Sequence, residues 1–593
     1  MTSPTAIRTY LNQAYLLGLL MVAVGLTLSP FLMGMSQFWL ALVWLVDSFT
    51  PPFKGVGGIK TKLSRFWQNK AAVLLVAFYF MHVVGLLWTS DFDYALKDLR
   101  VKLPILVMPL VLSSMEPLDR KRFNLVMLVY VLSVFVATLF SSISYWRHDY
   151  EDVREISRFI SHIRFCLNIV FCIAIVAWYL YNKGVSTSST TRSNQVPEPV
   201  EGPAKKVALR QAQRPTVQVP ELVEGPSPVK HPVPAFGVKV AINRYLQYFL
   251  LFWFTYQIYI FESLSGYVIL AAVVVVSAIY AFLHWKKSRG WHIAVGVAVV
   301  LAMIAALVVV LQEAKSLLKV EPVDFATLDK QTAQGNDYWH DTICNPVEDG
   351  KYVGLYYCQK EMQEAWAQRS LRPFDGTTTT GENLEATLAR YLTSKDLRKD
   401  AQGVMALTDE DIHNIEQGVA NYNNWKHPGL RARLSATLFE YNLYRSYNNP
   451  NGGSLSQRIE YTRASFHIIG QHPLFGVGTG DVPQAFAQTY DEIRSPLKEE
   501  FRFRAHNQYL AIAVAFGLVG LAFFLFVLFY PWCSSRKNHT YLYMVFLTIM
   551  LLSMFPEDTL ETQAGVTLFA FFESLLLFAS PVTNSDPEPS LQG

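Results

Sequence analysis

The sequence predicts a polytopic α-helical membrane protein of about 12 transmembrane helices with a large, mainly helical polar segment near its C-terminal end. Three observations carry that expectation. The charged fraction is 17%, well below the roughly 25% of soluble domains, and 14% of residues are aromatic. The charges are unevenly spread, with long stretches almost free of them and two long stretches of ordinary polarity. Apolar runs recur at a length near the roughly 20 residues a spanning helix needs. The hydrophobic content of 51% decides little by itself.

The runs lie near 11–29, 30–47, 71–88, 101–114, 123–144, 164–181, 245–261, 266–283, 292–311, 508–530, 541–555 and 564–580. Only Arg8 precedes the first run as a cation, and the run continues into a second, so a retained span rather than a cleaved leader is expected. Pro104 and Pro109 predict a kinked or tilted fourth element. Lys and Arg near span ends stay in the cytoplasm and so set direction. Lys54, Lys60, Lys62, Arg65 and Lys70 follow the second run, and Arg120, Lys121 and Arg122 follow the fourth. The 183–243 segment and its edge hold nine Lys or Arg against four Glu, and Lys286, Lys287, Arg289, Arg536 and Lys537 come later. With twelve spans all five groups fall on one side. Both termini are then expected in the cytoplasm, and residues 312–507 outside it.

This divides the chain into helices 1–6 (1–182), a cytoplasmic insertion (183–243), helices 7–9 (244–311), an outer domain (312–507), helices 10–12 (508–580) and a tail (581–593). The insertion is rich in Pro, Ser, Thr and Gln and carries a near-repeat, VPEPVEGP and VPELVEGP, so it is expected to be disordered. The outer segment has aromatic residues at ordinary frequency and two stretches of helical pattern, 382–398 and 408–422, the second opened by Thr408 as cap. It is long enough to fold with its own core. Cys344 and Cys358 are the cysteines of that segment, and are candidates for a disulfide in an oxidising compartment. They lack the further partners of a zinc site. The net charge of +4, without a basic stripe, argues against nucleic acid as a partner.

Chemistry-bearing residues gather at the end of the outer segment. In residues 455–473, Leu455, Ile459, Phe466 and Ile469 recur at helical spacing with Arg458 at the edge, and Gly470 and Pro473 suit a helix end. A solvated surface helix has the same pattern. Gly476, Gly478 and Gly480 form a loop that taken alone is a tight turn, although a Gly-rich loop can also cradle an anion through backbone amides. Arg502, Arg504 and His506 alternate just before an apolar run, where interfacial anchoring is the plain alternative. Flanking arginines favour a neutral imidazole, the form a general base requires. Arg164 and the cluster Lys97, Arg100 and Lys102 stand at the outer ends of earlier spans. Together with Arg458 they suit a polyanion at the outer leaflet.

The many spans, the late outer loop, Arg458-x-x-Tyr461, the Gly-x-Gly-x-Gly turn and HNQYL at 506–510 resemble the O-antigen ligase and Wzy-type polymerase superfamily. Residues 456–520 carry the specific part, and 337–430 look like the outer domain of Bacteroidetes-type members. The resemblance implies a GT-C-like, inverting, metal-independent glycosyltransferase of the bacterial inner membrane with no cofactor. It would act at the periplasmic face, moving a glycan from an undecaprenyl-diphosphate donor to lipid A–core amid membrane lipids. By the same resemblance His506 is the base and Arg458 the outer-helix arginine, Lys102 and Arg164 bind diphosphate, and Asn507 orients the imidazole or a sugar hydroxyl. In one respect the chain departs from the family: Leu264 stands where a family arginine is common, leaving Arg502 or Arg504 to supply that charge. Asp91-x-Asp93 resembles a sugar-nucleotide metal motif that chance produces often. A repeat-unit polymerase and a protein O-oligosaccharyltransferase share the donor chemistry. A transporter is the rival of another class, against which no internal repeat is found.

Overall fold

The computed structural model describes residues 4–50, 58–147, 161–190, 243–261, 263–284, 289–320, 322–535 and 538–581. Most of the 183–243 insertion, the Arg536–Lys537 pair and the tail from residue 582 lie outside these described residues.

Each of the twelve apolar runs is helical. α1 (Pro4–Leu28) and α2 (Pro30–Phe49) form a hairpin, and the short α3 (Ile59–Gln68) precedes α4 (Lys70–Val84). Then come α5 (Phe92–Ser114), α6 (Arg120–Arg147), α7 (His162–Thr190), α8 (Arg244–Ile260), α9 (Leu264–His284) and α10 (Arg289–Leu318). The chain closes with α19 (Gln508–Ser534), α20 (Tyr541–Ser553) and α21 (Gln563–Phe578). Among the described residues, seven helices are long and apolar enough to cross a membrane (α1, α2, α4 with its following turn, α6, α7, α9 and α19), while α20 and α21 are shorter apolar helices. The fourth run is not broken at its prolines. α5 runs through both prolines, which are buried, and packs against α4 and α21.

Between α10 and α19 stand α11 (Gln359–Arg369), α12 (Leu384–Ser394), α13 (Ala401–Met405), α14 (Asp409–Glu416), α15 (Tyr422–Lys426), α16 (Leu430–Tyr447), α17 (Ser454–Gln471) and α18 (Val482–Glu492), with one two-stranded ribbon, Val347–Glu348 against Lys351–Tyr352. Thr408 caps α14 in a capping box with Asp411, the arrangement its TDED start predicts. Two cores divide this segment. Trp366, Leu388, Tyr391, Leu392, Val404 and Ile415 close one among α11–α14, where each buried Leu or Ile contributes roughly 1.5–3 kcal/mol. α17 and α18 join instead the core of the membrane helices through Tyr461, Ala464, Ile468, Phe486 and Tyr490. The apolar stripe expected on α17 is a correction: Phe466 and Leu455 are exposed, and the buried face is Ser456, Glu460, Tyr461, Ala464, Ser465 and Ile468. Buried Glu460 is what periodicity hides, since Tyr444 and Ser495 each donate a 2.6 Å hydrogen bond to it.

One backbone device fixes how α17 meets the bundle. α19 is broken at Gly517, whose φ of 66° and ψ of −168° only glycine adopts readily. In an apolar surround, freed amides and carbonyls must find partners. The 473–478 loop supplies them. Val477 and Gly478 donate to the carbonyls of Val514 and Ala515 at 3.0 and 2.9 Å, and Leu518 and Val519 donate to those of Pro473 and Leu474 at 2.8 and 3.3 Å. A Cβ on Gly517 would meet the Leu474 carbonyl carbon at 2.2 Å, and one on Gly476 the Ala515 carbonyl carbon at 2.4 Å. The glycines are required by this close approach of two backbones, and Gly480 by the Asp91 carbonyl oxygen, which a Cβ there would meet at 2.0 Å.

Gly517→Ala is therefore expected to lower stability by about 2 kcal/mol or more. Gly470→Ala, in open helical space, should be neutral or slightly stabilising. Thermal unfolding in detergent followed by tryptophan fluorescence checks both; equal melting temperatures for the two variants contradict the account.

Candidate active site

The site is assembled where the chain leaves α18 and starts α19. His506 sits in the left-handed region at φ 46°, a conformation uncommon for a side-chain-bearing residue and often met at functional positions. Asn507 caps α19, accepting from the Leu510 amide at 3.0 Å, and its Nδ2 donates to the Phe555 carbonyl at 2.9 Å. Both ends of the Asn507 amide thus hold backbone. It turns the chain that presents the imidazole.

The spacing of Arg458 and Tyr461 puts both on one face of α17. Tyr461 stacks on the His506 ring, 5.3 Å between centroids and 26° between planes, while its hydroxyl donates to the Phe501 carbonyl at 2.9 Å. Burial lifts that phenol to about 12, against the pull of Arg458, so it is a neutral wall for the imidazole. Arg458 reaches the turn after α20, where its Nη2 meets Glu557 Oε1 at 3.0 Å. The other oxygen of the same carboxylate, Oε2, faces His506 Nδ1 at 4.0 Å. Burial disfavours the Glu557 charge, but contact with His506 and the cations Arg458 and Arg164 hold it below the ordinary carboxylate range.

Two more acids of that turn take the remaining cations. Arg504 pairs with Asp558 and Glu561, both at 3.4 Å, and donates to the Tyr94 hydroxyl at 2.9 Å. Burial raises the Asp558 carboxyl, with Arg504 only partly offsetting it. Burial would raise Glu561 too, yet Lys102 and Arg504 together hold it low. Arg502 pairs with Asp491 at 2.8 Å.

A cavity of about 780 Å³ opens beside these groups, lined by Arg164, Arg502, Arg504, His506, Glu557 and Asp558, with Pro483, Phe486 and Ala487 of α18 as its apolar wall. Arg164, near the start of α7, differs from the other cations. Its Nε is buried without a hydrogen-bond partner among the described residues. His506, Glu557 and Asp558 bring ligand atoms within 4.8 Å of one another, close enough for a metal ion, although arginines already occupy both carboxylates.

The other anticipated residues lie elsewhere. Lys102 is buried beside the cavity rather than in it, paired with Asp98 at 2.5 Å and Glu561 at 2.8 Å, so it braces the site and is not open to a phosphate. Lys97 and Arg100 are exposed and do not line the cavity. Asp91 accepts from the Tyr94 amide at 2.9 Å as the cap of α5, which accounts for half of the Asp-x-Asp pair. The Gly476, Gly478 and Gly480 loop is filled by backbone and offers no anion cradle. Cys344 and Cys358 are both free thiols, correcting the disulfide expectation. Cys344 belongs to a turn tied to Asp341, whereas Cys358 is buried at the head of α11, its amide donating to Lys399. Leu264 does not line the cavity, but Arg502 and Arg504 do.

Sequence reasoning missed Glu557, Asp558, Glu561 and Tyr94. A signal existed, since three acids within 555–561 interrupt two otherwise almost uncharged apolar runs.

With this geometry in place, the comparison with known families becomes specific. Residues 409–525 match the O-antigen ligase family, a stretch that runs from α14 through the first two thirds of α19 and includes Arg458, Tyr461, the glycine loop and His506. No curated protein matches the chain.

Lys102 and Arg164 should separate on substitution. Lys102→Met strands two buried carboxylates and is expected to cost about 3–5 kcal/mol, whereas Arg164→Ala should leave the fold intact. Melting temperatures in detergent decide; a Lys102→Met protein as stable as wild type refutes the bracing role.

Proposed function

We propose, from the match of residues 409–525 to the O-antigen ligase family, that this chain is an O-antigen ligase of the bacterial inner membrane. It moves an O-antigen-type glycan from undecaprenyl diphosphate to lipid A–core at the periplasmic face, with both termini in the cytoplasm. The observation that carries this reading is the convergence on one cavity of His506 with Arg164, Arg502 and Arg504, and Arg458 reaching it through Glu557.

The reaction is a single displacement. His506 takes the proton of the acceptor hydroxyl, whose oxygen forms a bond to the anomeric carbon of the donor. The bond from that carbon to the diphosphate oxygen breaks, and the electron pair leaves with undecaprenyl diphosphate. Configuration inverts because attack and departure are on opposite faces. Negative charge grows on the departing oxygen, where arginine donors stabilise it more than they stabilise the ground state. Arg164 and Arg458 are suited to that role, with Arg504 standing in for the charge absent at Leu264. The apolar wall from α18 accommodates the first carrier isoprenes. No metal or cofactor enters the step.

Deleting the gene and examining lipopolysaccharide tests the reading. Loss of long chains with accumulation of carrier-linked polymer is expected. Cores bearing a single repeat would instead mark a polymerase, and an unchanged surface glycan would dismiss both. At the mechanistic level, His506→Ala should reduce the transfer rate by about 10²–10⁴-fold, the usual worth of a general base. Full transfer by a normally inserted His506→Ala protein contradicts the assignment.

A further inference from the structure

We propose that Glu557 is a positioning residue shared between Arg458 and His506, so that arrival of the donor diphosphate at Arg458 releases the carboxylate to orient the base. This rests on the glycosyl-transfer reading above and deepens it. The geometry is that of a single carboxylate with two claimants. Oε1 is held by Arg458 at 3.0 Å, and Oε2 stands 4.0 Å from His506 Nδ1, short of a hydrogen bond by about 1 Å. Glu557 is nearly buried, its side chain 11% exposed, while Arg458 is 35% exposed and can swing toward the cavity.

The groups facing His506 leave Glu557 as the available partner for Nδ1. From α17 come Arg458 and the neutral Tyr461; from α7, Arg164; from its own segment, Arg504; and from the turn after α20, Asp558, which Arg504 engages. A diphosphate competes for Arg458 with two charged groups in place of one. Once Arg458 turns to it, Glu557 loses its bonded cation and can close on Nδ1–H. That contact fixes the tautomer whose Nε2 lone pair receives the acceptor proton, and stabilises the imidazolium as it forms. The order of events then protects the donor, because the base is fully aligned only when a diphosphate is present. After transfer, the imidazolium proton passes to water, and Arg458 returns to Glu557 as undecaprenyl diphosphate leaves.

The test compares full-length wild type, Glu557→Gln and Glu557→Asp, each shown to fold by its melting temperature, in detergent with undecaprenyl diphosphate as the binding probe. Glu557→Gln frees Arg458, so undecaprenyl diphosphate should bind about three-fold tighter or better. Its kcat should fall on the order of 10–100-fold, as for other residues that orient a working histidine, with the donor KM not raised. Glu557→Asp, which keeps the charge, should recover part of kcat. A kcat equal to wild type, or a donor KM that rises while kcat holds, overturns the proposal. The binding arm needs no turnover: tighter undecaprenyl diphosphate with no transfer by wild type rejects the proposed function and keeps the competition for Arg458. Normal transfer by wild type with an indistinguishable Glu557→Gln keeps the function and rejects the coupling.

Discussion

A backbone amide in an apolar surround must have a partner, and the break in α19 turns that constraint into an assembly rule. At Gly517 the helix gives up its own hydrogen bonds, and the 473–478 loop is the segment that restores them. The end of α17 is thereby fixed against the bundle. Thr479 extends the clamp to the end of α4, donating to the His82 carbonyl at 2.7 Å, and Asp481 extends it to the start of α5, accepting from the Asp91 amide at 2.8 Å. With both ends of this connection tied, Arg458 and Tyr461 on α17 and His506 at the head of α19 have little freedom to drift apart. The active-site geometry is a consequence of backbone pairing at some distance from the reacting groups.

Charge balance is the second constraint. Arg458, Arg502, Arg504 and Lys102 each have a carboxylate partner, and three of the acids come from the single turn 557–561. Without them, closely placed buried cations would oppose folding. With them, the cavity is close to neutral before any substrate arrives, except near Arg164. An incoming diphosphate therefore exchanges partners with the acids rather than meeting bare cations. Exchange of this kind lowers the gain from simple binding but links substrate arrival to rearrangement, which is where the role argued for Glu557 originates.

Much of this was readable before the fold was known. Hydropathy located twelve helices because spanning length and apolar composition are local properties, and the Thr408 cap was readable for the same reason. His506, Arg458 and Arg164 were singled out from residue type and place, and the fold brings them to one cavity or its edge. What stayed hidden depends on partners distant in sequence. Lys102 looked like a phosphate ligand because Asp98 is one turn before it but Glu561 is hundreds of residues away. The glycine loop reads as a tight turn, as it is, but nothing local says that its partner is a broken helix. The buried face of α17 was misread because Glu460 and Ser465 are buried through hydrogen bonds and close packing that periodicity does not weigh.

The most direct measurement is an electron cryo-microscopy structure of the full chain in lipid nanodiscs with undecaprenyl diphosphate bound. The account places the diphosphate against Arg164, Arg504 and Arg458, with Arg458 turned away from Glu557 and Glu557 closed onto His506 Nδ1. Diphosphate density away from this cavity, or Arg458 still seated on Glu557 with the diphosphate in place, would contradict it.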